Sequence, residues 1–228
     1  MTRGIDALAG GEVTGPACHA DRMSLTLLDW RRRVHALYGE VRAESDPRVG
    51  HEIWRAGRDA LLAEHPDSPL LPEDRAGFTG VPVAPYDPAL RFEVAVDTEV
   101  EPTRFEVPTA TDGVVPFDRI GVLHLPDVGD LDVWWLGSYG GGVFVPVKDA
   151  LAGRETYGGG RYLIDTVKGS DLGGDLDLAT GRGTVVADLN FAYNPSCAYD
   201  PAWVCPLAQP GNVVPVELRV GELYPVTP

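Results

Sequence analysis

Leu90-Arg91-Phe92-Glu93-Val94-Ala95-Val96-Asp97 places Leu90, Phe92, Val94 and Val96 on one side and Arg91, Glu93 and Asp97 on the other. Apolar residues two apart, with polar ones between them, have the period of a half-buried strand. Further candidate strands follow at 104–107, 114–125, 131–136, 143–147, 161–166, 184–193 and 214–220. Turn chemistry separates them at Asp112-Gly113, Val128-Gly129-Asp130, Gly140-Gly141-Gly142, Gly158-Gly159-Gly160 and Pro210-Gly211. Connections this short hold no crossover helix, so neighbouring strands must run antiparallel. The expected fold is mainly β: an antiparallel barrel, closed or split, or a sandwich.

Towards the N-terminus the period changes. Leu27, Trp30, Val34, Leu37 and Val41 recur every three or four residues, which is a helical stripe. Asp46-Pro47 stops that run and suits the start of a second helix, with Asp46 as N-cap and Pro47 in the first turn. Val49, Ile53, Trp54, Gly57 and Leu61 give the second helix its apolar face, and His65-Pro66-Asp67-Ser68-Pro69 ends it. The chain thus divides into a flexible leader (1–22), a two-helix extension (23–69) and a β domain (70–228).

Composition excludes several classes of function. The net charge of −15 opposes a nucleic-acid partner, because phosphate binding needs clustered Lys and Arg. No apolar run is long enough to span a membrane, and the first residues lack a signal-type apolar stretch. Three cysteines are too few for a disulfide-dense secreted scaffold, so the expected compartment is the cytoplasm. Neither the oligomeric state nor a cofactor follows from these properties.

Gly158-Gly159-Gly160-Arg161 is read as a tight turn, because a phosphate loop needs a helix after its glycines and here a strand follows. Of the five histidines only His124 falls in the β region, and a lone histidine completes no metal-ligand set. No metal site is expected. Trp134 and Trp135, adjacent in one strand, must point to opposite faces.

The strongest sequence signals lie in three blocks. The first runs from Asp149 through Gly153-Arg154-Glu155-Thr156-Tyr157-Gly158 to Gly160-Arg161-Tyr162-Leu163. The second is Asp188-Leu189-Asn190-Phe191-Ala192-Tyr193-Asn194-Pro195-Ser196-Cys197-Ala198. The third comprises Cys205-Pro206-Leu207, Asn212, Pro215 and Gly221-Glu222. In order, spacing and residue type they resemble a bacterial and archaeal family known as domain of unknown function 1684. His65-Pro66-Asp67-Ser68-Pro69-Leu70 and Phe78-x-Gly80 are similar to that family's approach to the β region. The resemblance covers at least residues 70–224 and departs at Leu189, where the family more often has Phe. It implies no established activity, substrate or cofactor.

Asp and Asn form strands poorly, so Asp188 and Asn190 in one strand need a reason. If Arg161 lies on a paired strand, it meets Asp188 as a charge-assisted pair. That polar face is read as the wall of a small-molecule site comprising Tyr157, Arg161, Asp188, Asn190, Tyr193 and Asn194. An enzyme built on the same cluster would use Glu155, Asp188 or Cys197 as its reactive group. Asp149 and Glu155 would otherwise be solvated acids. A third reading is a structural or interaction module, in which the signature only locks a C-terminal loop over the barrel end. Cys197 and Cys205 bracket that loop. They are read as packed thiols, as a disulfide or as a reactive pair, and their Cα atoms should lie within about 7 Å.

Overall fold

The computed structural model describes residues 25–108, 113–137, 139–177, 179–180 and 182–224. The leader expected at 1–22 lies outside them, as do Cys18 and Asp112.

The helical expectation holds. Helices α1 (Leu25–Ala43) and α2 (Pro47–Glu64) are joined by a short turn. Asp46 adopts extended backbone and its carboxylate accepts a hydrogen bond from the Arg48 amide, with Pro47 in the first turn. Pro47 is pre-set for a helix and has no amide hydrogen to leave unsatisfied there. A short helix α3 (Pro72–Arg75) follows. Among the described residues, no helix is long and apolar enough to cross a membrane.

The rest is antiparallel. Strands β2 (Arg104–Pro108), β3 (Val114–Leu125), β4 (Gly129–Leu136), β5 (Gly142–Val147) and β6 (Arg161–Asp165) pair in chain order as one meander. Strands β1 (Arg91–Ala95), β8 (Arg182–Asp188) and β7 (Leu176–Asp177) form a second sheet in that order. Isolated bridges join the two sheets: Asp97 with Val122 in β3, and Tyr193 with Tyr162 in β6. Among the described residues no continuous ladder closes the structure, and its inner faces share a core of Leu123, Leu131, Val145, Leu163, Ala187 and Leu189.

Two expected strands differ from what is seen. The strand expected at 184–193 stops at Asp188, whose carboxylate accepts from the Asn190 amide and caps a 3-10 turn over Leu189–Phe191. Asp and Asn compete for backbone donors, so they end the strand instead of lining it. The strand expected at 214–220 is irregular, because its carbonyls at Leu218 and Val220 accept from the Arg161 guanidinium and not from a neighbouring strand.

Both helices pack on the meander. Leu37, Tyr38 and Trp54 share a second core with Phe117, Trp134, Phe144 and Tyr162. Trp54 is fully buried, lies 5.3 Å from the Phe191 ring, and its indole N–H donates to the Tyr38 hydroxyl. Trp134 is buried and Trp135 is 40% exposed, as their opposite directions require. Trp54→Ala should cost about 3–5 kcal/mol of stability by cavity formation, and Asp46→Ala about 1 kcal/mol by loss of a cap. Urea unfolding measures both. Similar small losses for the two would mean that the helices lie outside the common core.

Candidate functional site

Arg161 opens β6 and is wholly buried. One of its amino groups donates to Asp149 Oδ2 at 3.0 Å and to the Leu218 carbonyl at 3.2 Å. The other donates to the Val220 carbonyl and, at 3.0 Å, to that of Glu222. Asp149 completes the arrangement by accepting from the Thr156 hydroxyl at 2.9 Å and the Leu151 amide at 2.8 Å. Burial pulls the Arg161 pKa down, and the Asp149 charge opposes that shift. The expected pair with Asp188 is not formed. Arg161 and Asp188 lie in different sheets, and each has another partner.

Asp188 is also wholly buried. Its Oδ1 accepts from the Asn190 amide and side chain, at 3.0 and 2.7 Å. Its Oδ2 accepts from the Tyr86 hydroxyl at 3.2 Å and lies 3.6 Å from Arg91. Burial raises the Asp188 pKa, against the Asn190 hydrogen bonds. Asn190 clasps Asp87, accepting from its amide at 2.7 Å and donating to its carbonyl at 2.8 Å. Asn194 receives the Glu222 carboxylate on its amide at 2.7 Å and donates its side chain to the Leu223 carbonyl at 2.8 Å. Arg58 of α2 pairs with Glu222, donates to the Asn194 carbonyl at 3.0 Å, and stacks over the Tyr193 ring at 4.6 Å.

Gly221 lets Glu222 into this network. Its φ is +71°, and a side chain there would lie 3.0 Å from the Leu189 carbonyl oxygen. Glycine alone combines that backbone with that approach.

The remaining candidates stand at the barrel corner. After Asn194-Pro195 the chain makes a 3-10 turn over Ser196–Ala198, and the loop returns so that Cys205 Sγ lies 3.4 Å from the Cys197 amide nitrogen. The loop thus folds back as expected, and both cysteines are free and partly exposed. The Tyr157 hydroxyl reaches the Cys197 carbonyl at 3.2 Å and its sulfur at 3.5 Å. Tyr162 donates to the Pro206 carbonyl at 2.6 Å, and Tyr157 stacks on Tyr224 at 6.1 Å. Glu155 is set apart, half-exposed, 3.2 Å from Arg219. His124 is exposed between Asp130 and Asp97, which raise its pKa.

The described cavity of 540 Å³ is elsewhere, between α1 and α2, lined by Asp29, Arg33, Leu37, Gly57 and His65 among others. Sequence reasoning placed neither Arg58 nor Glu222 in the site, although Glu222 stood in the third signature block. Arg58 had a signal: it sits four residues after Trp54, beside Gly57 on an apolar helical face. It also missed what surrounds Cys205, because Tyr162 and Lys168 come from about forty residues earlier in the chain.

The model of a family described as protein of unknown function, DUF1684, matches residues 76–223, and the chain belongs to that family. No curated protein matches it significantly. Among solved structures it is similar to the solution NMR structure of an uncharacterized protein from gene locus rrnAC0354 of Haloarcula marismortui. The two are 29% identical with a TM-score of 0.55, over 76% of this chain and 92% of that one.

Arg161→Ala should cost about 3–5 kcal/mol, because it leaves Asp149 buried and uncompensated. Asn190→Ala should cost about 1–3 kcal/mol, because the Asp87 amide and carbonyl lose their partner. Chemical denaturation tests both; an unchanged midpoint for Asn190→Ala would show that its clasp is not structural.

Proposed function

We propose that this member of the DUF1684 family is a cytoplasmic small-molecule-binding protein, and that its ligand docks where Tyr157, Cys197, Cys205 and Tyr224 meet. One contrast carries the reading. Arg161, Asp188, Asn190 and Asn194 are buried and turn most of their polar groups to their own chain, with Arg161 Nε and Asn194 Oδ1 left without a partner, whereas this corner keeps two partly exposed cysteines and an aromatic pair within reach of solutes. A stacked tyrosine pair offers an aromatic platform, and the Tyr157 hydroxyl and the thiols supply a few directed polar contacts. The buried residues then act as the frame: Tyr193 and Asn194 lead directly into the loop that carries Cys197. The net charge of −15 favours a small ligand over nucleic acid or an anionic membrane surface.

The structural-module reading is favoured by a separate observation, the saturation of Asp188 and Asn190. It accounts for those residues but not for two free, partly exposed cysteines at the loop they secure.

Chemical-shift mapping with benzoate, phenol and indole tests the proposal. The expected shifts cluster at Tyr157, Cys197, Cys205 and Tyr224, and Tyr157→Ala should weaken binding about tenfold, or about 1.4 kcal/mol. Shifts confined to the groove between α1 and α2 would overturn it.

A further inference from the structure

We propose that Cys197 and Cys205 form a reversible dithiol–disulfide centre, with Cys205 the nucleophile towards hydroperoxides and Cys197 the resolving thiol. The proposal deepens the reading that this corner admits solutes, and rests on it.

The geometry distinguishes the two cysteines. The Cys197 backbone amide donates to Cys205 Sγ, 3.4 Å away, while Cys197 Sγ lies 3.5 Å from the Tyr157 hydroxyl. Cys205 therefore receives a backbone donor from Cys197. The Tyr162 hydroxyl is committed to the carbonyl of Pro206, the residue after Cys205, at 2.6 Å. Lys168, on the turn after β6, supplies the nearby positive charge; it lies 5.2 Å from the Tyr162 ring and 3.5 Å from Asp165. The Cys197 hydrogen bond first, and Lys168 after it, hold the Cys205 pKa down to about 6 despite burial. Cys197 goes the other way, raised by its hydrogen bond to Cys205 and by burial. Tyr157 faces both thiols, which together with burial keep its own proton on. The two thiols are thus pushed in opposite directions, Cys205 towards thiolate and Cys197 towards thiol, which is the asymmetry a nucleophile and its resolving partner need.

The loop is already pinned for closure. Tyr157 holds the Cys197 carbonyl, Tyr162 the Pro206 carbonyl, and the Ala208 amide donates to the Gly159 carbonyl at 3.3 Å. Further along the loop, the Tyr199 hydroxyl donates to Glu222 at 3.1 Å.

The Cys205 thiolate attacks the terminal oxygen of the hydroperoxide. An S–O bond forms, the O–O bond breaks, and the alkoxide leaves and is protonated to an alcohol. Cys197 then loses its proton, attacks the Cys205 sulfenic acid, and displaces water as the S–S bond forms. The thiols lose two electrons and the hydroperoxide gains them. A small-molecule thiol restores the dithiol by exchange.

Full-length protein carrying Cys18→Ser is reduced and treated with hydrogen peroxide at pH 7. The intact mass should fall by about 2 Da with loss of both thiols, and dithiothreitol should reverse it. Cys205→Ser should slow the reaction at least about tenfold. Cys197→Ser should stop at a Cys205 sulfenic acid that dimedone captures. If a variant fails to fold, the same assignment is read from the parent: iodoacetamide should label Cys205 first, with a rate midpoint near pH 6. Equal labelling of the two cysteines, or over-oxidation without a disulfide, would overturn the proposal. Fragment binding at the corner with peroxide-inert thiols would remove this inference alone. Disulfide formation without fragment binding would remove only the small-molecule reading.

Discussion

A buried guanidinium organises the C-terminal third of this molecule. Arg161 makes one ion pair, with Asp149, and otherwise serves as a partner for backbone carbonyls of a segment held to its neighbours by isolated bridges instead of a ladder. Buried carbonyls must be satisfied, and irregular chain cannot do so through a ladder. An arginine, with donors arranged in a planar fork, can collect several of them at once. A lysine presents a single nitrogen and would not span Leu218, Val220 and Glu222 together.

The second constraint is the Glu222 carboxylate. It meets Arg58 from α2, the Asn194 amide and the Tyr199 hydroxyl, so helix, post-strand turn and thiol loop converge on one wholly buried acid. Arg161 fixes the backbone that delivers Glu222, and Glu222 fixes the turn that delivers Cys197. Interior polar groups of this kind give little net stability when paired, yet strongly disfavour arrangements that leave them unpaired. The position of the corner follows from residues that never touch it.

Much of the fold could be read from the sequence because its signals are local. The 3.6 period of Trp30, Val34 and Leu37 and the alternation at Phe92 and Val94 depend on neighbours a few residues away, and both elements are where they were expected. The segment from Val214 to Val220 has a strand's composition, but a tertiary event, capture by Arg161, decided its backbone. The early end of β8 was visible in the poor strand propensity of Asp188 and Asn190; reading those residues as a wall overlooked that they also cap turns. Among the site residues, Arg161 was identified without its partner, since strand assignment alone does not choose between Asp149 and Asp188. Cys205 was noticed only as half of a bracket, because its activating neighbours are distant in the chain.

The sheets' borders have a consequence for how the molecule behaves in a crowd. Among the described residues, β2 has a neighbour only in β3 and β7 only in β8, so each offers an open row of amides and carbonyls. Such rows invite a foreign strand to add on. Here β2 alternates Arg104 and Glu106 and ends at Pro108, which lacks a donor, and β7 is two residues long. At the other two borders, Asp97 just past β1 bridges Val122 of β3, and Tyr162 of β6 bridges Tyr193 in the chain beyond β8. Two unclosed sheets thereby guard themselves against runaway strand addition with two charges, a proline and brevity.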